Sequence, residues 1–467
     1  MQVKLSNFTA VENISKIAKN QDLFFKSYAT FDLNFRIGKL KKLKEVLQSY
    51  EKDLFKALKT DLGKGEFEVF TNEYGLALKE ISYHIRNLKS WALPKKVSTP
   101  IYSFPSKSSI HKQPYGKILI IGPFNFPFML TIVPLIGAVS AGNVVCVKPS
   151  ENTHQISGLI KKIIDEVFNP SHVACIEGGV ETTKELLAIR WDLIFFTGST
   201  RVGRIVMEAA AKNLTPVVLE LGGKNPVVVD KDARLEVAAK RIVWAKYLNT
   251  GQSCVAPDYL FVHENVKDKL LPLLKKYIKQ FYTENPKESK DFGRIVNKEN
   301  VERLSALIKD ETIYIGGETD KTGRYFSPTL LNDVQKDSPI MKDEVFGPVL
   351  PVLIFNELDE VTGFLNNNEK PLAAYYFSEN KKSQKEFLAK TFSGGVGINE
   401  LVVQFVNFSL PFGGVGFSGI GVYHGKHSLD TFSHKRSVIK TTTLIDIPLR
   451  YPPIKQWVFK LVKMIYR

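Results

Sequence analysis

Between Lys117 and Ser199 the sequence alternates continuous runs of Val, Ile, Leu and Phe with segments of helical length, and this alternation decides the fold class. The apolar runs are KILIIG, NVVCVKP, HVACIEG and DLIFFTGS. Between them lie an apolar segment around Leu130 to Ala141, a second from about His154 to Phe168 and a third near Lys184. A strand that is apolar at every position needs cover on both faces, which helical crossovers provide. The expectation is an α/β, doubly wound parallel sheet of the nucleotide-binding kind. A second alternation starts at PVVLELGGKNPVVVD.

Ile118 to Val147 is uncharged for thirty residues and passes a simple length test for a membrane span. Pro123, Pro127 and Pro134, with Gly122, Gly137, Gly142 and Asn125, interrupt it. A buried strand, turn and core helix fit those breaks better. From Arg36 to about Lys59, Leu40, Leu43, Leu47, Tyr50, Leu54 and Leu58 recur at helical spacing, predicting one amphipathic helix. Near Pro100 to Pro114 the pieces IYSF and SSIHK read as the strands of a short β-hairpin arm.

Three cysteines, Cys146, Cys175 and Cys254, are too few for a disulfide framework, and no Cys/His spacing suits a metal. A reducing, cytoplasmic compartment is expected; the N-terminal twenty residues lack the apolar core of a secretory signal. The net charge of +16 is concentrated at the end, where Lys435 to Arg467 carries eight Lys/Arg against Asp446 alone. No aromatic-interleaved basic stripe accompanies it, so nucleic acid is not an expected partner.

Three features invite chemistry. FTGSTRVG follows the run DLIFF without being G-x-G-x-x-G or a P-loop; Ser199 and Thr200 at a helix start could hold a phosphate, or Gly198 and Gly203 could belong to an ordinary helix cap. Glu220 interrupts an apolar strand before Gly222, which is costly unless the acid is paired or used. Cys254, in NTGQSC, is the one cysteine outside an apolar run, whereas Cys146 and Cys175 read as packing residues.

In order along the chain, PFNFPF (123–128), VKPSE (147–151), FTGSTRVG (196–203), LELGGKNP (219–226), GQSC (251–254), EVFGP (344–348) and PFGGVGFSG (411–419) resemble the aldehyde dehydrogenase superfamily. GVYHGKHSLDTFSHKRS followed by LRYPP is similar to the class 3 branch that includes the fatty aldehyde dehydrogenases. The resemblance implies a Rossmann-like cofactor domain (1–96 and 118–220), an α/β catalytic domain (221–436), a β bridging, oligomerisation element (97–117 and 437–447) and a C-terminal tail (448–467). It also implies a homodimer.

By that resemblance Cys254 is the nucleophile that makes a thiohemiacetal and then a thioester. The Asn125 amide, with the Cys254 N–H, is the oxyanion donor, although an Asn in such a turn can also bond its own backbone. Glu220 is the base that activates water against the thioester. Lys148 and Glu151 match residues at the adenosine ribose, Gly198, Ser199, Thr200 and Gly203 the pyrophosphate turn, and Glu344 and Phe346 the nicotinamide. A carboxylate at Glu151 favours NAD, with NADP as a second cofactor; no metal is implied. Gly251 is expected to leave backbone room beside the reacting carbonyl and nicotinamide. His424 reads as structural or pocket-lining.

The tail IKQWVFKLVKMIYR places Ile454, Trp457, Val458, Leu461 and Ile465 on one helical face and Gln456, Lys460, Lys463 and Arg467 opposite. Residues 454–467 therefore either cross a partner subunit or lie peripherally on an anionic membrane surface. The expected substrate is an apolar medium- or long-chain aldehyde, polyene or aromatic ones included. A small metabolite semialdehyde is the rival substrate, which the apolar Phe405, Val406 and Phe408 disfavour. A non-catalytic structural protein on the same fold is the second rival; it has no need of Asn125, Glu220 and Cys254 together.

Overall fold

A computed structural model describes residues 11–466 of the chain. Residues 1–10, which include half of the stretch scanned for a secretory signal, and Arg467 of the tail lie outside the described residues. The architecture is α/β, with two large sheets, a small third one of three strands and a two-stranded ribbon, Thr319–Asp320 with Tyr325–Phe326.

The first sheet has six strands in the order Gly419–Ile420, Val217–Glu220, Leu193–Thr197, Lys117–Ile121, Val144–Lys148 and Val173–Cys175. The four apolar runs pair in parallel, and the strand Val217–Glu220 extends them. Helices Met129–Ala141, His154–Val167 and Val180–Ala188 make the crossovers. Met129–Ala141 is buried along its whole length, so the uncharged stretch is core rather than membrane span. The second sheet has seven strands, ordered Ile313–Ile315, Thr329–Leu331, Val349–Phe355, Tyr259–His263, Pro226–Val229, Ala373–Phe377 and Gly395–Ile398. One of its faces packs in a cluster that includes Phe261, Leu304, Leu353 and Tyr376, while the other, with Val227, Leu260 and Tyr375, joins the same core as the first sheet.

Several expectations need correction. The predicted helix from Arg36 to Lys59 is two helices, Leu33–Ser49 and Glu51–Leu62, because the backbone at Tyr50 leaves helical geometry (φ −96°, ψ 11°). In the hairpin arm, Lys95–Val97 rather than IYSF pairs with Lys107–Pro114. Ile101–Ser103 is a 3₁₀ turn entered from Pro100, since prolines at 100 and 105 remove the donors a ladder would need. Ser433–Lys440 joins the other edge of Lys107–Pro114 and completes the third sheet.

The end of the expected catalytic segment also behaves differently. Gly419–Ile420 pairs with the edge strand Val217–Glu220 of the first sheet, and Gly425–Thr431 packs on Met129–Ala141. Gly137 makes that approach possible: a Cβ there would lie 2.7 Å from the Ser428 Cβ and 3.1 Å from the Phe432 ring. In the tail, the helix is Gln456–Ile465, so Ile454 precedes it and is not on its face. Val458 is buried, whereas Trp457, Phe459 and Met464 are exposed, and Tyr466 stacks on Tyr102 at 5.5 Å. Among the described residues no helix is long and apolar enough to cross a membrane.

Gly137→Val tests the returning segment, because overpacking a helix contact costs about 1–3 kcal/mol. The urea midpoint is expected to fall accordingly with an unchanged slope. A midpoint equal to that of the wild type would mean that the two helices are not held together.

Candidate active site

Parallel strands deliver their carboxyl ends to one edge, and the loops leaving that edge carry most of the marked residues. Asn125 follows Lys117–Ile121, Lys148 ends its strand, Gly198 and Ser199 follow Leu193–Thr197, and Glu220 ends Val217–Glu220. Between the strands Leu193–Thr197 and Lys117–Ile121 the connections run to opposite sides, which is where an open α/β sheet leaves a crevice.

Cys254 enters from the second unit, between helix Leu235–Tyr247 and strand Tyr259–His263. The chain reaches it through three consecutive left-handed residues, Asn249 (φ 49°), Thr250 (φ 56°) and Gly251 (φ 72°). Gly251 has no space for a side chain, since a Cβ would sit 2.2 Å from the Gly347 carbonyl oxygen. The room it provides is therefore for the EVFGP backbone, a correction to the expectation that it clears space for the reacting groups. The Asn225 amide donates to the Cys254 carbonyl (2.7 Å) and to that of Ala256 (3.0 Å), and the Tyr375 hydroxyl donates to the Val255 carbonyl (2.6 Å). Anchored on both sides, the thiol remains partly exposed.

Asn249 also binds the two loops together, because its amide donates to the Asn125 carbonyl (2.8 Å) and the Gln252 carbonyl (3.0 Å). Among the described residues the Asn125 side-chain amide makes no hydrogen bond to protein, so the self-capping alternative does not hold. Cys146 and Cys175 are buried in the first sheet, as packing residues should be.

Glu220 is 3% exposed, and among the described residues neither carboxyl oxygen has a hydrogen-bond partner. Of the two expectations for this acid, paired or used, it is therefore not paired among the described residues. Burial pushes this acid well above the ordinary carboxylate range. The Cys254 thiol is pushed up by burial, then by the charges of Glu344 and Glu220, while the Cys254 and Val255 N–H groups act the other way. Glu220 thus lies close enough to bear on the Cys254 thiol, and the Asn125 loop is tied to the Cys254 loop through Asn249, an arrangement that suits acyl transfer with general acid–base help.

The remaining marked residues lie on strand ends and neighbouring loops. The Glu344 carboxylate occupies the space a side chain on Gly222 would need; burial, then Asp258, raises it to about 8. Phe346, at φ 46°, sets its ring edge-on to Phe124, 5.7 Å away. Lys148 and Glu151 form an ion pair at the end of their strand. Ser199 caps helix Thr200–Ala211, and the Thr200 hydroxyl donates to the Phe417 carbonyl (3.1 Å). Gly203, expected at the pyrophosphate turn, is buried one turn along. A Cβ there would lie 2.7 Å from Leu221, so this glycine sets the close approach of helix to sheet. The exposed first turn, with N–H groups unused by the helix, is a fitting cradle for a pyrophosphate.

An apolar wall lies beside these groups. His424 is buried with both ring nitrogens unpartnered among the described residues, stacked on Tyr423 (4.2 Å) and Phe408 (5.8 Å) and edge-on to Phe405 (4.8 Å). Burial lowers it to about 4, so it is neutral at pH 7. The sequence reading passed over Tyr423, whose buried hydroxyl has no partner among the described residues and is influenced by Glu220 and Cys254. It also missed Asp258, which pairs with Lys224 and accepts the Val345 N–H (2.8 Å) between Glu344 and Phe346. The break of an apolar run by YH, and an acid just before the strand at 259, were the available signals.

A family profile described as the aldehyde dehydrogenase family matches residues 1–438. The chain is 46% identical over 446 residues to the 4,4'-diaponeurosporen-aldehyde dehydrogenase of Staphylococcus aureus, covering 95% of this chain and 97% of that protein. It is 44% identical over 445 residues to the dimeric NADP-preferring aldehyde dehydrogenase of Canis lupus familiaris, covering 95% and 98%. A solved structure described as the substrate-bound state of Staphylococcus aureus AldH superposes with a TM-score of 0.96 at 45% identity, covering 97% of this chain and 99% of that one.

The buried acid makes a pH-dependent prediction. A carboxyl raised in the folded state binds its proton more tightly there than in the unfolded chain, so its contribution is fully present below the unfolded value near 4.5. It is lost as pH rises towards the folded value. Glu220→Gln, which cannot ionise, is therefore expected to gain thermal stability relative to the wild type as pH rises from 4.5 to 9. A difference in Tm that does not change with pH would rule out a protonated Glu220.

Proposed function

The chain belongs to the aldehyde dehydrogenase family, and we infer from that membership and the site that Cys254, Asn125 and Glu220 carry its reaction. The protein is an oxidoreductase that converts aldehydes to carboxylic acids with a nicotinamide dinucleotide. The observation that bears most on the residue assignment is the partnerless, buried carboxyl of Glu220 beside Cys254.

In this reading the Cys254 thiol gives its proton to the ionised form of Glu220, which releases it to solvent, and the thiolate attacks the carbonyl, giving a tetrahedral thiohemiacetal. Its oxyanion takes hydrogen bonds from the Asn125 amide and the Cys254 N–H, a donor arrangement worth roughly 2.7–4 kcal/mol per donor. A bound nicotinamide dinucleotide supplies the two-electron acceptor. Loss of the hydrogen from the tetrahedral carbon leaves a thioester on Cys254. Glu220, in its ionised form, then takes a proton from water as the water attacks the thioester; the tetrahedral carbon collapses to the acid and the Cys254 sulfur leaves, taking up that proton. The same buried acid that would cost stability is thereby given its use.

For the cofactor, the first turn after Ser199, the Lys148–Glu151 pair and the Glu344–Phe346 loop form the binding surface. Glu151 can accept ribose hydroxyls, which favours NAD. Its tie to Lys148 neutralises much of the charge that would repel a 2′-phosphate, so discrimination against NADP is weak. The wall of Phe405, Phe408, Phe412, Tyr423 and neutral His424 is apolar, although the Lys79 ammonium lies over the Phe408 ring at 5.2 Å, and its rings support long apolar aldehydes over a small semialdehyde. The protein is a homodimer in this reading, bridged by the third sheet, and resides in the cytoplasm. Exposed Trp457, Phe459 and Met464 with Lys460 and Lys463 suit peripheral contact with an anionic bilayer.

NADH formation over a chain-length series of aldehydes tests the chemistry. Cys254→Ala should abolish turnover. Glu220→Gln should retain one equivalent of NADH per site while steady turnover falls about 10²–10⁴-fold. Wild-type steady turnover by Glu220→Gln would remove the hydrolytic assignment. For the tail, removal of residues 451–467 should abolish co-sedimentation with anionic liposomes; equal sedimentation of both forms would end the membrane reading.

A further inference from the structure

The oxyanion loop is held by a buried ion pair that the mechanism above does not use. Lys64 and Glu73 have fully buried side chains, 2.5 Å apart from Nζ to Oε1. The same ammonium donates to the Asn125 carbonyl at 2.8 Å and faces the Phe126 ring at 4.2 Å. The other Glu73 oxygen accepts the N–H groups of Phe128 and Met129, each at 3.0 Å. The pair therefore grips the segment 125–129 at both ends, while the Asn125 side-chain amide is left without a protein partner among the described residues.

The local backbone is built for this placement. Lys64 stands between Gly63 (φ +67°), where a Cβ would meet Arg294 at 2.8 Å, and Gly65, where it would meet the Lys290 carbonyl at 2.8 Å. Glu73 lies in a π-helical turn, Phe70–Tyr74, inside an otherwise α-helical run, and the extra residue turns Glu73 and Tyr74 inward. That turn closes with Gly75 donating to the Phe70 carbonyl, at a distance that leaves only 2.6 Å for a Cβ. Such turns are often found at functional sites. A pair serving stability alone gives weak returns, since burial of both charges offsets most of their attraction.

We propose that Lys64 and Glu73 are positioning residues for the oxyanion donor: by fixing the Asn125 carbonyl and the Phe128–Met129 amides, they aim the Asn125 amide at the oxygen of the Cys254 adduct. The inference rests on the reading of Asn125 as that donor. No bond changes on the pair itself; it acts through the direction of the neighbouring amide.

A double-mutant cycle on single-turnover NADH formation from octanal and NAD decides it. Asn125→Ala is expected to slow the step about 100-fold. Lys64→Met should slow it at least tenfold in the native background and not at all in the Asn125→Ala background, with the KM values for octanal and NAD within twofold. Because Lys64→Met leaves Glu73 buried and unpaired, the neutral pair Lys64→Met/Glu73→Gln, which keeps an acceptor for the two N–H groups, is measured alongside. It should show the same background-dependent loss while its circular dichroism matches the wild type.

Equal slowing in both backgrounds, or a wild-type rate for the folded neutral pair, overturns the positioning role while leaving the donor reading intact. A wild-type rate for Asn125→Ala overturns the donor reading itself, and the positioning role with it.

Discussion

The hydrogen bond from the Asn249 amide to the Asn125 carbonyl, 2.8 Å long, joins the loop that leaves the first sheet to the loop that brings the thiol from the second. Asn225 and Tyr375 hold the thiol side, and Lys64 holds the Asn125 side. A reaction that needs a nucleophile and a charge-stabilising donor within a fraction of an ångström cannot rely on two independently mobile units. This contact ties the two loops directly, within an apolar core that already runs across both sheets, and it is made from the left-handed backbone of Asn249 to Gly251.

Several features at the site run against stability. Among the described residues Glu220 is buried without a partner and His424 has two unpartnered ring nitrogens; His424 has φ +81° and Phe346 φ +46°. Unpaired buried polar groups and left-handed non-glycine residues each cost free energy, and they persist only where surrounding structure over-determines them. Here two extensive apolar cores supply that support, with the parallel strands contributing residues that are almost fully buried. The concentration of such costs around one thiol is the physical mark of a working site.

How much of this was legible in sequence followed from how locally each feature is encoded. The apolar runs and their crossovers were readable because side-chain burial along a parallel strand is continuous. Glu220 and Cys254 stood out as residues that broke the pattern around them. The strand Gly419–Ile420 was not readable, since two residues carry no periodicity and its pairing is decided by a distant edge. The break at Tyr50 was hidden because the apolar spacing continues across it. Lys64 and Glu73 were invisible for a different reason: a Lys and a Glu nine residues apart look like solvated charges until the fold buries both. Gly203 carried a motif position whose role changed once Leu221 was seen beneath it.

The pairing of Gly419 with Glu220 also sets an order of events during synthesis. The strand ending in Glu220 is made 199 residues before the partner that covers its edge, and helix Gly425–Thr431, which caps Met129–Ala141, is later still. A ribosome releasing the chain from its N-terminus therefore exposes an open parallel edge, with the Glu220 carboxyl at its tip, through the making of nearly half the polypeptide. Uncovered edges of this kind are where chains associate wrongly. Closing that edge is therefore among the last steps of assembly, and it is the step that takes the Glu220 carboxyl out of water.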